Sequence, residues 1–336
     1  DLGDCVLVGD AGLAALGRGL PSELERLHLD CAFCTAIGSG GLAALGACLP
    51  QRLRHLQLSF RKCFLITDPG LAAIGVGLPS HLTHFHVDFA ECPLIGDVGL
   101  AALVSCLPQQ LQQLQLSFRR CSKLGSTGLA ALSSCIPPEL DQLHLNVSDC
   151  PAIGDDGLAS LRNGLPPRLS QLQLSVANCK LVGDAGLASF LDGPDKHIQR
   201  LQVNAIGCPL VGDAGLAALA LRLPTDVESL QLHLAGCPLI TPVGLAALAA
   251  ALPPGLQQLQ LDFAGCPQLA DAALWRRGDV AELRSWAAVA KRHETPAQPI
   301  AASLVTLPDM DLAQPVEPAA PAAPSNPAAP LELRAV

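Results

Sequence analysis

The 336-residue chain has no tyrosine, one methionine and two tryptophans, and its 3% of aromatic residues leaves few of the anchors on which interface hot spots usually depend. Charge is scarce as well. Only 15% of residues are charged, and they sum to −9. General nucleic-acid binding draws its affinity from Lys and Arg set against phosphates, so this balance argues against a nucleic-acid partner. No run of about 18 apolar residues appears, and no secretory-signal pattern either, so no membrane partner is expected. Catalytic motifs are missing too: there is no glycine-rich phosphate loop between strand and helix, no His-Glu-x-x-His and no Gly-x-Ser-x-Gly. The chain reads as a non-enzyme, with no cofactor.

What the chain does have is periodicity. Cys5, Cys34, Cys63, Cys92, Cys121, Cys150, Cys179, Cys208, Cys237 and Cys266 recur at an unbroken spacing of 29 residues. A fixed period of this length marks a solenoid, in which each unit buries its apolar face only by stacking on its neighbours. Counting from Leu111 as position one, the unit opens Leu-x-x-Leu-x-Leu-x-Phe, the period-two alternation of a strand with one buried face, so Leu114, Leu116 and Phe118 should point inward. The second half of the unit changes period: Leu129, Ala130, Leu132 and Ile136 suit a short amphipathic helix. Gly/Thr-Asp pairs such as Thr67-Asp68, Gly96-Asp97 and Gly212-Asp213 stand before the helices, where the carboxylate is expected to cap the first N–H groups. Leu-Pro pairs such as Leu49-Pro50 and Leu107-Pro108 end them, because proline disfavours helical geometry in the residue before it. A glycine column from Gly12 to Gly244 inside the first helical turn calls for close approach between coils.

This unit, with its Cys-x-x-Ile-x-Asp-x-Gly-Leu core, resembles the leucine-rich repeats of the ribonuclease-inhibitor-like class, in the cysteine-containing subtype of F-box leucine-rich-repeat proteins. The resemblance implies an α/β fold: a right-handed leucine-rich-repeat solenoid, or horseshoe, with a parallel sheet on the concave face and short helices on the convex face. It also implies a protein-interaction scaffold, the substrate-recognition part of an SCF-type ubiquitin-ligase receptor. The repeats cover 1–275, a capping helix is expected over 276–293, and 294–336 is a Pro/Ala-rich tail expected to be disordered. Asp1 aligns with position seven of a unit, so further repeats or a cap are expected upstream. Between Phe190 and Leu201 the pattern weakens around Pro194 and Asp195, where the array is expected to loosen.

Fourteen cysteines in a small secreted protein would suggest disulfides, but ten in one column read as packing positions, each offering a weak S–H donor to a carbonyl left free between coils. Thiols of this kind fit an intracellular compartment, cytoplasmic or nuclear. Cys31-Ala-Phe-Cys34 has the spacing of a zinc half-site, but no second pair exists, and Cys31 shares its column with Phe60, Phe89 and Phe118. It reads as core.

In such a solenoid, positions three, five and seven of each strand face the concave side. Position five runs His28, Gln57, His86, Gln115, His144, and position seven runs Asp30, Ser59, Asp88, Ser117, Asn146, an alternation with a second period of 58 residues. The candidate partner-binding residues are therefore His28, Asp30, His55, His84, His86 and Asp88 on the strands. Arg61, Lys62, Arg119 and Arg120 join them from the loops beyond. The basic pairs suit an acidic or phosphorylated segment. The histidines predict binding that changes between about pH 6 and 7.5. They are also ligands that Zn²⁺ accepts, but nothing fixes a tetrahedral set, and no metal is assigned. Two other readings stay open: a purely structural array whose partner-binding parts lie elsewhere, and metal- or pH-responsive binding at the histidine patch. The partner is expected to be a protein bound by a monomer.

Overall fold

The structure, a computed structural model, describes residues 1–191 and 197–269. The Pro194–Asp195 irregularity, the 276–293 helix and the 294–336 tail lie outside the described residues. Helix α1 (Asp10–Arg18) leads into strand β1 (Arg26–Asp30), and the pair repeats as α2 (Ser39–Ala47), β2 (His55–Ser59), α3 (Asp68–Val76) and β3 (His84–Asp88). It continues through α4 (Asp97–Val104), β4 (Gln113–Ser117), α5 (Ser126–Cys135), β5 (Gln142–Asn146), α6 (Asp155–Gly164) and β6 (Gln171–Ser175). The last units are α7 (Asp184–Ser189), β7 (Arg200–Asn204), α8 (Asp213–Leu221), β8 (Ser229–His233), α9 (Pro242–Ala251) and β9 (Gln258–Asp262). The strands form one parallel sheet in chain order, and every residue pairs with the one 29 further on, as Leu56 does with Phe85. The architecture is a leucine-rich-repeat solenoid with the sheet on one face and the helices on the other.

The alternation read in the sequence sets the core. Along β2 to β6 the second and fourth residues are buried and the others half-buried, so Leu114 and Leu116 lie inside while Gln113, Gln115 and Ser117 meet solvent. Just past the strands, Phe60, Phe89 and Phe118 stack at 5.7 and 5.9 Å between ring centroids. Cys31 fills the same column with no exposure, as its core reading requires.

Two ladders tie coil to coil. Cys63 Sγ donates to the Cys31 carbonyl at 3.3 Å, Cys92 to Phe60 at 3.2 Å and Cys121 to Phe89 at 3.3 Å, and the pattern runs unbroken from Cys34 to Cys266. Burial pushes these thiols up, that of Cys121 to about 12, so they stay protonated as donors. Cys5 departs from the column and is exposed.

The second ladder corrects an expectation. The aspartates do not cap their own helices, because the extended N-cap residue is the Gly or Thr before them and Asp is already the first helical residue. Its carboxylate instead reaches along the stack. Asp10 accepts the Gly38 N–H, Asp97 that of Gly125 and Asp184 that of Gly212, each at 2.7 Å. Where Ser39 or Ser126 replaces the aspartate, the hydroxyl accepts the same bond at 3.0 or 3.2 Å. This explains the glycine column: a Cβ on Gly41 would lie 2.7 Å from Asp10 Oδ1 and 3.1 Å from its Cα. Thr241 does cap its own helix, accepting the Val243 N–H at 3.1 Å.

Candidate partner-binding surface

The side chains at strand positions three, five and seven form the floor of the candidate surface. His28 and Asp30 stand on β1, His55 on β2, and His84, His86 and Asp88 on β3. Register places His55 beside His84, and their rings stack with centroids 4.1 Å apart. Arg26, His28, His55, Gln57, His84 and His86 line a trough of 330 Å³. A second hollow of 270 Å³ continues from His86 past His144 to Gln202 and is lined by His, Gln, Ser and Asn side chains together with Leu116, Leu145 and Leu174.

Burial depresses His55, His84, His86 and His144. It pushes His55 down together with the charges of Arg26 and Arg54, against Glu25, and it pushes His84 down with His55 and Arg26 adding to it. His86 falls through burial with His28, against Asp88, and His144 through burial with His86 beside it. The pH window expected from unperturbed histidines therefore shifts downward for these four, whose midpoints lie below the ordinary value of 6.5.

Among the described residues, no group of three or more His, Cys, Asp or Glu converges in a metal-holding arrangement.

Asp30 and Asp88 do more than face solvent. Each accepts, through Oδ1, the N–H two residues on, Ala32 or Ala90, at 2.9 Å, which starts the turn leaving the strand. Asn146, Asn204 and Asp262 repeat this two coils apart, at 3.1, 3.2 and 3.1 Å. The 58-residue period thus has a structural basis. Coils with an Asp or Asn turn alternate with coils carrying Ser59, Ser117, Ser175 and finally His233 at position seven, and the Ser coils of the N-terminal half carry Arg61 and Arg119 at position nine.

Position ten, the residue before each cysteine, organises the rim; the sequence analysis named Lys62 and Arg120 there but missed Phe33, Glu91, Asp149 and Asn178. There Phe33, Lys62, Glu91, Arg120, Asp149 and Asn178 all adopt φ between 60° and 64°, the left-handed region, whereas Gly207, Gly236 and Gly265 occupy it in the last coils. Each amide donates to the coil ahead, Lys62 to Ala90 at 2.9 Å and Arg120 to Ser148 at 2.9 Å, so the sheet's hydrogen-bonded step continues into the loops.

Their side chains join in one line. Lys62 Nζ lies 4.6 Å from the Phe33 ring centroid and 3.7 Å from Glu91, and Arg120 lies 3.8 Å from Glu91 and 3.6 Å from Asp149. Asn178 Nδ2 donates to Asp149 at 2.9 Å. From position nine, Arg61 Nη2 donates to Glu91 at 3.0 Å and Arg119 Nε to Asp149 at 3.0 Å. Burial pushes the Glu91 carboxyl up, but the Arg61 hydrogen bond and the charges of Lys62, Arg61 and Arg120 outweigh it and hold the group below its usual range. The basic pairs are thus not isolated cations, as the sequence suggested. They are interleaved with carboxylates that face them from the neighbouring coils, 30 residues away.

The repeat and the single parallel sheet define a leucine-rich-repeat protein. A leucine-rich-repeat family model matches residues 143–161 and 229–249, which run from β5 into α6 and from β8 into α9. A search of curated proteins finds no match. Among solved structures, the leucine-rich repeat-containing protein LegL7 from Legionella pneumophila is 18% identical, over 81% of this chain and 92% of that one, with a TM-score of 0.45. The yeast Rad7 and Elc1 complex matches at 16% identity over 77% and 74%, with a TM-score of 0.35.

Proposed function

We propose that the chain is a non-enzymatic protein-interaction scaffold that receives its partner over β1 to β4. The floor would be His28, His55, His84 and His86 with Asp30 and Asp88, and the wall Arg61, Lys62, Arg119 and Arg120. One observation carries this reading. Left-handed backbone costs a non-glycine residue roughly 1–2 kcal/mol, yet Phe33, Lys62, Glu91 and Arg120 hold it at the position that three later coils give to glycine. Strain kept where glycine is the simple solution marks side chains with work to do. The finer role, recognition for a ubiquitin ligase, rests on the resemblance of the repeat alone.

Affinity capture with the full chain tests the placement. Replacing Arg61, Lys62, Arg119 and Arg120 by alanine should abolish recovery of the main partner, while Gln202→Ala, Gln231→Ala and Gln260→Ala together should leave it intact. Circular dichroism should show both variants folded, so that loss of recovery reports the surface. Greater loss in the glutamine set would move the surface to the other half of the sheet.

A further inference from the structure

The rim has two layers. The side chains of Arg61, Arg119 and Arg120 are 41%, 41% and 53% exposed, whereas those of Glu91 and Asp149 are 17% and 21% exposed. The carboxylates lie beneath and the cations face out, so each guanidinium is held in place with outward N–H donors left available, while Arg61 Nε is buried. Holding an arginine before binding removes much of the side-chain entropy that an exposed ion pair normally costs. The charge count is uneven as well: four cations, Arg61, Lys62, Arg119 and Arg120, stand over two carboxylates, leaving a surplus of two positive charges on a chain whose net charge is −9.

Spacing narrows the ligand. The backbone hydrogen bonds of the rim keep the step between strands, so Arg61 and Arg119, two coils apart and each turned to the carboxylate of the coil ahead, are separated by about 10 Å. A polyproline II segment advances about 3.1 Å per residue with three residues per turn, so its residues i and i+3 point the same way about 9 Å apart. In a flat β-strand, residues three apart point to opposite faces.

Resting on the proposed interaction surface, we infer that its partner presents an extended, polyproline-like segment with two carboxylates three residues apart, one for Arg61 and one for Arg119. Two carboxylates balance the surplus of two charges, whereas two phosphate dianions would exceed it. The segment runs along the rim, across the strand direction, between Phe33 and Asn178.

Fluorescence anisotropy with the full chain and labelled synthetic peptides tests this. A proline-rich peptide with Glu at i and i+3 should bind about tenfold more tightly than peptides of the same composition with the two Glu adjacent or six apart. Either Arg61→Ala or Arg119→Ala should remove that preference, and Arg61→Lys or Arg119→Lys should restore part of it, which separates recognition from misfolding. Equal binding of all three spacings, tighter binding of a phosphoserine pair, or displacement by single-stranded DNA at lower concentration would each overturn the inference. If the peptides show no preference while captured partner still depends on the four basic residues, the ligand class is wrong and the surface stands. If capture is indifferent to those residues, the surface reading fails with it.

Discussion

The N-terminal and C-terminal coils share one backbone and differ in what they hang on it. Phe33 and Gly236 occupy the same rim position with φ of 64° and 70°, and Cys34 and Cys237 beside them make the same bond to the preceding coil. Where the position is glycine, the turn carries no side chain. Where it is Phe, Lys, Glu or Arg, the same turn carries a continuous line of contacting side chains at an energetic cost. The comparison separates what the solenoid needs from what has been added to it.

The largest expected effect tests whether the halves share one core. Leu116→Ala in β4 and Leu232→Ala in β8 empty equivalent, fully packed sites, so each should destabilise by about 2–5 kcal/mol in urea unfolding. Markedly unequal losses would mean that the coils are not equivalent beneath the rim. The next effect addresses the rim itself. Gly236→Ala has room for its Cβ, with the nearest atom 3.8 Å away, so its cost should be the left-handed conformation alone, about 1–2 kcal/mol. Asn178→Gly should change stability little, since asparagine tolerates that region. If Gly236→Ala proves neutral, the strain argument for the N-terminal rim collapses.

The smallest effect is electrostatic. The folded protein holds His55, His84, His86 and His144 below the ordinary 6.5, so it disfavours their charged forms relative to the unfolded chain. Their contribution to stability is complete above 6.5 and is lost as pH falls through the depressed values. Melting temperature should therefore drop by a few degrees between about pH 7 and 5. Hydrogen exchange should show the loosening over β2 to β5, where these residues lie, and a uniform loss along the array would argue for another cause.

Much of the fold was legible because the repeat writes the same answer many times. The cysteine spacing gave the coil length, the Leu columns gave the buried face, and Leu-Pro marked the ends of helices. What escaped was interaction between coils. Asp68 after Thr67 looks like a local cap, and nothing nearby in the sequence shows that its carboxylate accepts from Gly96, 28 residues on. Glu91 and Asp149 were missed for the same reason: their partners Arg61 and Arg119 lie a full coil away. The rim conformation had a visible trace, since Gly precedes the cysteine in the last three units. Reading the residues before Cys34 to Cys179 as the same position would have exposed it.

The directional bonds between coils also set how the protein can change length. Each column cysteine from Cys34 to Cys266 donates backward and each aspartate that starts a helix accepts from the coil ahead, so whole units can be removed without orphaning a member of either ladder. Excising residues 63–120, which is 58 residues, joins Lys62 to Cys121, hands Cys121 the carbonyl that served Cys63, and sets Arg61 opposite Asp149 instead of Glu91. Excising 29 residues preserves the backbone ladder but brings like charges together on the rim. The scaffold can be edited in steps of one coil, whereas the sequence of charges along its edge survives only in steps of two.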